Sequence, residues 1–260
     1  MRIVIAGGTG TAGRVVSQLA SERGHQVVAL SRSGPVQADL VSGQGLDAAL
    51  AGAEAVIDCS NITTSSRTKA ERFFVTGTKN LVRAAAAAGA SRYVLLSIVG
   101  IDNVPMGYYH AKLAQEAALI ATATEAQLGY TIARVTQFHD FAGQILARLR
   151  LGPLAAIPHL RIQPIDLAEV AKALLDCSEA EPAGRAPDLG GPREEDLLEL
   201  TRQWAAHIGS PARIVPVPLP GRAGKATKAG GLLMPGDGET RGRTFAEWLA
   251  TQPGQAGSVS

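Results

Sequence analysis

Residues 2–16 have the sequence Arg-Ile-Val-Ile-Ala-Gly-Gly-Thr-Gly-Thr-Ala-Gly-Arg-Val-Val, and this stretch decides the fold. A continuous apolar run such as residues 2–6, without polar alternation, is typical of a strand that is buried on both faces of a parallel sheet. Between Ala12 and Ala20 the apolar positions recur at the spacing of one helical face. The glycines between the two patterns are Gly7, Gly8, Gly10 and Gly13. The stretch therefore predicts a strand, a tight turn and a helix.

The same alternation of strand and helix patterns continues to about residue 135. Strand patterns follow at 26–31, 54–59, 92–98 and 130–135, and long helical patterns at 69–88 and 108–128. Such alternation is typical of right-handed βαβ crossovers on a parallel sheet. We therefore predict an α/β fold with a Rossmann-type doubly wound parallel sheet. Between Ser210 and Arg243, where prolines and glycines are dense, we expect little regular structure.

The glycine-rich turn is suited to a dinucleotide. Gly7 permits the tight turn, Gly10 lets the backbone approach a pyrophosphate, and Gly13 lets the helix pack closely on the strand. The helix N-terminus then offers unpaired N–H groups and a partial positive charge to the phosphates. The predicted cofactor contacts in this turn are Gly7, Thr9, Gly10, Thr11, Ala12 and Gly13.

The end of the second strand indicates which dinucleotide binds. An acidic residue there would bind the ribose hydroxyls of NAD, but residues 29–34 are Ala-Leu-Ser-Arg-Ser-Gly and contain no carboxylate. Arg32 can pair with a 2′-phosphate, assisted by the Ser31 and Ser33 hydroxyls and by a second positive charge on Arg14. The sequence therefore predicts NADP(H) in preference to NAD(H). The alternative is that Arg32 is only an exposed loop residue.

Two further pairs of residues are predicted to contact the cofactor because they end strands of the same sheet edge. Asp39 and Leu40 end the third strand, and the Asp39 carboxylate can accept a hydrogen bond from the adenine amino group. Ser60 and Asn61 follow the fourth strand and are placed on the ribose side. Asp58 either joins this site or caps the following loop, and the sequence favours neither.

Tyr108 and Lys112 are the candidate catalytic pair. They are four residues apart, so on a helix they lie one turn apart on the same face. An ammonium there would lower the pKa of the phenol, and such a tyrosine can donate a proton to a carbonyl oxygen as hydride arrives. Ser97, at the end of the fifth strand, would hydrogen-bond the same oxygen, and Lys112 would also hold the nicotinamide ribose. The alternatives are that Tyr109 faces the nicotinamide or that Tyr108 only packs against the loop.

These features resemble the short-chain dehydrogenase/reductase superfamily, through the sequence of residues 7–14, Ser97 and the Tyr108-x-x-x-Lys112 spacing. The sequence segments 109–116, 134–138 and 163–171 are most similar to those of its atypical, NmrA-like branch. The resemblance covers nearly the whole chain. It implies a Rossmann fold with a small C-terminal substrate lobe, in a branch that includes reductases, isomerases, dehydratases and dinucleotide sensors.

We therefore predict an NAD(P)-binding domain at residues 1–150 and a smaller substrate lobe at residues 151–260, packed on the first and not independent. The predicted function is NADPH-dependent reduction of a carbonyl in a small, fairly apolar organic molecule. Tyr109, Phe138 and His139 are the predicted substrate contacts. The alternatives are a dinucleotide sensor without turnover, or a non-redox isomerase, cyclase or dehydratase.

Composition argues against several other classes of protein. The chain has 25 basic and 23 acidic residues, a formal net charge of +2 and no Lys/Arg block, which disfavours nucleic-acid binding. Two isolated cysteines are too few for a disulfide framework, and no histidine spacing is typical of a metal site, so none is predicted. No apolar run reaches the length of a membrane span and no signal peptide is evident. We expect a cytoplasmic monomer or homodimer.

Overall fold

A computed structural model describes residues 1–64 and 66–254 of the chain. The strands are β1 Arg2–Ala6, β2 Gln26–Ser31, β3 Val36–Gln37, β4 Ala55–Asp58, β5 Arg92–Ile98, β6 Gly129–Val135, β7 Arg150–Leu151, β8 Leu154–Pro158, β9 Arg161–Ile162, β10 Gly184–Arg185, β11 Leu189–Gly190, β12 Glu195–Asp196, β13 Arg213–Val217 and β14 Glu239–Thr240. The helices are α1 Thr11–Glu22, α2 Leu46–Leu50, α3 Arg67–Glu71, α4 Gly77–Ala87, α5 Gly107–Glu125, α6 Phe141–Leu149, α7 Leu167–Glu179, α8 Leu197–His207, α9 Gly221–Lys228 and α10 Phe245–Leu249, with a π-helical turn at Arg72–Thr76 between α3 and α4.

The main sheet has the order β14-β11-β6-β5-β4-β1-β2-β3, with β10 paired to β6 as well. Its strand pairs are parallel. The chain runs outward from β1 to β3, returns to the other side of β1 at β4, and continues outward to β6. The reversal between β1 and β4 is the topological switch point of a doubly wound sheet. The predicted Rossmann-type α/β fold is confirmed.

Both faces of the sheet are covered, and this explains the apolar run in β1. Ile3 and Ile5 pack on one face with residues of α1 and α7, whereas Val4 and Ala6 pack on the other with residues of α2 and α4. All four side chains are fully buried. A polar residue at any of these positions would face a hydrocarbon core, so the strand does not alternate.

The smaller lobe has its own core between α6, α8, α10 and a three-stranded sheet of order β13-β8-β7. The Trp204 and Trp248 rings stack in this core with their centroids 5.6 Å apart. The expectation of little regular structure between residues 210 and 243 is wrong, because β13 and α9 lie there. Among the strands of residues 1–64 and 66–254, β13 pairs with β8 alone, and an edge strand tolerates a proline such as Pro216 because a missing N–H there need not leave a partner strand unpaired.

Residues beyond 150 also contribute to the main layers. α7 packs against α1 on the sheet, and β10, β11 and β14 extend the sheet beside β6. The division of the chain into an NAD(P)-binding domain and a substrate lobe at residue 150 stays a prediction. Within the described residues, no helix combines the length and the apolar character needed to cross a membrane.

Candidate functional site

The glycine turn lies at the carboxyl edge of the sheet, between β1 and α1. Gly7 has a φ of +72°, a left-handed conformation that favours glycine. A β-carbon on Gly13 would lie 2.2 Å from the Gly7 carbonyl oxygen, so α1 can approach the turn only because Gly13 lacks one. No side chain caps α1 at Gly10, and its first turn has no acidic residue. The helix N-terminus is thus open to phosphate oxygens, as the predicted contacts require.

We expect Gly13→Ala to abolish measurable dinucleotide binding, because the added methyl group forces the turn away from α1. Gly10→Ala is the matched control, since its β-carbon would meet only the Gly7 oxygen, at 3.1 Å. Titration with NADPH should show a loss of at least about 100-fold for Gly13→Ala and a smaller loss for Gly10→Ala. Equal affinities of Gly13→Ala and the wild type would contradict a phosphate-binding turn.

Two arginines lie near this turn, Arg14 in the first turn of α1 and Arg32 directly after β2. Arg14 and Arg32 are exposed, and within the described residues neither forms an ion pair. Ser33 is exposed as well, whereas the Ser31 hydroxyl is buried and has no partner among the described residues. Two free guanidinium groups and an unpaired hydroxyl fit a phosphorylated ribose.

Asp39 and Leu40 both form hydrogen bonds within the protein. The Asp39 carboxylate accepts a hydrogen bond from the Ser42 amide at 2.7 Å, and this bond lowers the pKa of Asp39. Leu40 is buried in the core, and its carbonyl accepts from the Asn80 amide. Their predicted contacts with the adenosine half stay predictions.

Asp58 anchors a buried polar network at the end of β4. It accepts hydrogen bonds from the Ser60 amide at 2.9 Å and from the Tyr93 hydroxyl at 2.8 Å. The Gln115 amide also donates to it, and to the Thr78 hydroxyl. Asp58 is thus the cap of the following loop, and it places Ser60 and the exposed Asn61 at the crevice. Tyr93, Thr78 and Gln115 are not predicted from the sequence, because their signal there is only a polar group at an apolar position of a strand or helix.

Tyr108 and Lys112 lie on α5, but their polar groups do not meet. The Tyr108 hydroxyl donates to the Asn61 side-chain oxygen at 2.9 Å, and its ring packs edge-on against Phe74. The Lys112 ammonium, which is buried, donates instead to the Leu96 carbonyl at 3.0 Å and to the Gln115 side-chain oxygen at 2.6 Å. Lys112 therefore turns toward the sheet, away from the phenol.

The prediction that Lys112 lowers the pKa of Tyr108 is consequently wrong. Burial raises the pKa of Tyr108 to about 12, against smaller lowering effects of Arg148 and Asn61. Burial lowers the pKa of Lys112 to about 8, although Asp58 and Glu116 favour its charged form. Tyr108 at neutral pH is therefore a protonated phenol, which can give a proton but does not readily remove one.

Ser97 does not face the crevice. It is fully buried, and its hydroxyl donates to the Glu116 carboxylate. Arg134 donates to both oxygens of Glu116 at 2.8 and 2.6 Å and also pairs with Asp102. The predicted role of Ser97 beside a substrate oxygen is wrong, because its side chain points toward α5 and completes this ion-pair network.

The predicted substrate contacts Tyr109, Phe138 and His139 differ in their burial. His139 is 1% exposed and packs on Phe245 and Trp248 of α10, so its predicted contact with substrate is wrong. Tyr109 and Phe138 are half-buried, and burial raises the pKa of Tyr109. The roles of Tyr109 and Phe138 stay predictions. Among residues 1–64 and 66–254, no three or more His, Cys, Asp and Glu side chains are grouped to hold a metal ion.

The buried His139 is expected to make the free energy of unfolding depend on pH. Burial lowers its pKa below the usual value of 6.5, so between the two values the unfolded chain binds more protons than the folded one. The free energy of unfolding should therefore fall as the pH drops below about 6.5, by at most about 1.4 kcal/mol per pH unit. Urea unfolding of His139→Phe should show a flatter pH profile, and the exposed His110→Phe an unchanged one. A profile that His139→Phe leaves unaltered would contradict this assignment.

Comparison with known proteins agrees with this geometry. A family model described as NAD(P)H-binding matches residues 7–178, which include the glycine turn, Arg32, Asn61 and Lys112. The chain belongs to this NAD(P)H-binding family. Its match begins at the turn and ends within α7, so it covers the sheet from the end of β1 through β6 with the helices on both faces.

Two proteins that carry different functional names are similar to this chain. The photosystem II assembly factor Ycf39 of Synechocystis is 27% identical over 241 residues, which are 84% of this chain and 71% of that protein. The chloroplastic divinyl chlorophyllide a 8-vinyl-reductase of Oryza sativa subsp. indica is 27% identical over 247 residues, or 84% of this chain but only 61% of that protein.

Among solved structures, a short-chain dehydrogenase/reductase superfamily protein from Agrobacterium tumefaciens with bound NAD has a TM-score of 0.70. It is 21% identical, over 96% of this chain and 95% of that one, so it shows a shared fold. With the family match, these comparisons confirm the predicted superfamily, and the similarity to Ycf39 supports its NmrA-like branch. The chain is therefore an NAD(P)-binding protein.

Proposed function

We propose that this protein is an NADPH-dependent oxidoreductase that reduces a carbonyl group of a small, fairly apolar molecule, with Tyr108 as the proton donor. The observation that carries the proposal is the half-buried Tyr108 hydroxyl, held 2.9 Å from Asn61 where α5 meets the loop after β4. A bound NADPH would supply the hydride. The proton that completes the alcohol would come from the phenol.

The protonation state of Tyr108 favours the direction of reduction. A phenol with a pKa of about 12 remains protonated at neutral pH and can donate to the oxygen of a carbonyl as that oxygen gains electrons. Removing a proton from an alcohol would need the phenolate, which is scarce at that pH. The single hydrogen of the phenol is donated to Asn61 in the free protein, so the hydroxyl would rotate from Asn61 to the carbonyl oxygen of a bound substrate before it gives its proton.

Lys112 is proposed to hold the ribose of the nicotinamide half. Its ammonium has three donor hydrogens, and two of them are used by the Leu96 carbonyl and the Gln115 side chain. The third faces no hydrogen-bond acceptor among the described residues, and the ammonium lies 5.0 Å from the centre of the Phe74 ring. Because Lys112 is only 3% exposed, the side chains that cover it would have to move to admit a ribose hydroxyl.

The proposal is tested by isotope transfer from NADPH deuterated at the reactive carbon of its nicotinamide. The purified protein is incubated with a panel of apolar aldehydes, ketones and enones, and products are examined by mass spectrometry. Deuterium bound to carbon in an alcohol product is the expected result. NADPH binding without transfer to any member of the panel would contradict carbonyl reduction.

Preference for NADP(H) is proposed from the free charge of Arg32 and Arg14. We expect Arg32→Leu to weaken NADPH binding by about 10- to 100-fold, the contribution of a charge-assisted contact to a 2′-phosphate. Binding of NADH should change little. Arg222→Leu, which removes an exposed charge from α9, serves as the control, and an equal effect of Arg32→Leu on both dinucleotides would overturn the assignment.

A second candidate function is a dinucleotide-responsive binding protein without turnover. It is favoured by the separation of Lys112 from the Tyr108 hydroxyl, which leaves the phenol without the tuning that an acid–base pair would have. The assembly factor Ycf39, a relative of this chain, is consistent with such a role. The isotope experiment separates the two candidates, because only the oxidoreductase transfers deuterium.

A further inference from the structure

The side-chain amide of Gln137 has no hydrogen-bond partner among the described residues. It lies just beyond β6, and its side-chain oxygen and nitrogen are both buried without a hydrogen-bond partner among the described residues. Gln163, on a neighbouring segment, provides a contrast, since its nitrogen donates to the Gly191 carbonyl at 2.8 Å and its oxygen accepts from the Met234 amide at 3.2 Å. A buried amide with neither atom paired is rare in folded proteins and calls for an explanation, such as a functional role or a bound water or ion.

The backbone around Gln137 is nevertheless firmly held. Its carbonyl accepts a hydrogen bond from the Ile165 amide at 2.8 Å, and the adjacent Phe138 forms a bridge with Ile165. On the other side, the Thr136 amide donates to the Leu189 carbonyl at 2.9 Å. The unpaired amide is therefore a side-chain feature of a fixed segment.

The position of Gln137 in the sheet indicates what the amide could meet. In a doubly wound sheet a dinucleotide lies across the switch point, with one nucleotide over each half. Arg32 at the end of β2 marks the adenosine half, so the nicotinamide half extends over β4, β5 and β6. Gln137 follows β6, and Lys112 contacts the Leu96 carbonyl in the adjacent β5. Gln137 thus belongs to the nicotinamide half.

We infer that the Gln137 side-chain amide pairs with the carboxamide of the nicotinamide ring, an inference that rests on the dinucleotide binding of the proposed function. A primary carboxamide offers one acceptor and two donors, which is the complement of the two unpaired atoms. No hydrogen bond holds the amide in its present rotamer, so turning it into the crevice breaks none.

This assignment predicts opposite effects of one substitution on the free and the bound protein. Gln137→Leu removes two unpaired polar atoms, so it should leave the melting temperature of the cofactor-free protein unchanged or raised. The same change should weaken NADPH binding by about tenfold or more, the contribution of two hydrogen bonds. Gln163→Leu, which loses two existing bonds, should lower the melting temperature and serves as the matched control.

The test is calorimetric titration of wild type and Gln137→Leu with NADPH and with adenosine 2′,5′-bisphosphate, which carries the adenosine half alone. The inference predicts weaker NADPH binding and, within about twofold, unchanged binding of the bisphosphate. Unchanged NADPH affinity, an equal loss for both ligands, or a lowered melting temperature of the free variant would overturn the role of Gln137. Failure of the wild type to bind either ligand would overturn the proposed function itself.

Discussion

Tyr108→Phe should lower the rate of carbonyl reduction by about 100- to 10,000-fold, the usual contribution of a positioned general acid. The phenylalanine keeps the ring contact with Phe74 and loses only the hydroxyl that donates to Asn61. NADPH affinity should therefore remain near that of the wild type. The measurement is single-turnover oxidation of bound NADPH, followed by its absorbance, with a carbonyl compound that the wild type reduces.

Tyr109→Phe is the matched control for this prediction. Tyr109 is the next residue on α5, is also half-buried, and has its ring 5.9 Å from that of Tyr108. Its variant should retain activity within a few-fold of the wild type. If Tyr109→Phe were inactive and Tyr108→Phe active, the proton donor would be Tyr109. If both variants were active, neither tyrosine would supply the proton.

Arg134→Leu should destabilise the protein by about 3–5 kcal/mol, the range for removing one partner of a buried ion pair. Arg134 and Glu116 are 4% and 7% exposed, and the guanidinium donates to both carboxylate oxygens. Leucine would leave the Glu116 charge buried without an ion-pair partner among the described residues, with the Ser97 hydroxyl as its remaining hydrogen-bond donor there. The free energy of unfolding in urea measures this loss.

Two further variants test whether Arg134→Leu loses stability because it leaves the Glu116 charge buried and unpaired. Arg161 and Glu194 form a pair in which the side chains are 44% and 45% exposed, so Arg161→Leu should lower the stability far less than Arg134→Leu does. Adding Glu116→Leu to Arg134→Leu should recover part of the stability, because the buried carboxylate is then removed, and Asp102, which also loses Arg134, is 54% exposed. A double variant less stable than Arg134→Leu would show that burial of the charge is not the cause.

The sequence was sufficient for the features that depend on backbone geometry and burial. The unbroken apolar run of β1 predicts a strand that is covered on both faces. The spacing of Gly7, Gly10 and Gly13 predicts a turn into which a helix can approach closely, and the structure shows why Gly13 must lack a β-carbon. Both features depend on residues that are close together in the sequence, so a short stretch of sequence is enough to predict them.

Side-chain direction could not be predicted in the same way. The four-residue spacing placed Tyr108 and Lys112 on one helical face, but the ammonium turns to the Leu96 carbonyl and Gln115. Ser97 ends its strand as expected, yet it faces Glu116. Each choice depends on partners distant in sequence, and the same is true of His139, which packs on α10.

The most direct test of the account is a fluorescence titration of the purified protein with NADPH and with NADH. The free guanidinium groups of Arg14 and Arg32 and the open N-terminus of α1 predict saturable NADPH binding, at least about tenfold tighter than that of NADH. Equal affinities would contradict the assigned role of Arg32. Absence of binding by both would contradict the dinucleotide site, and with it the proposed reductase.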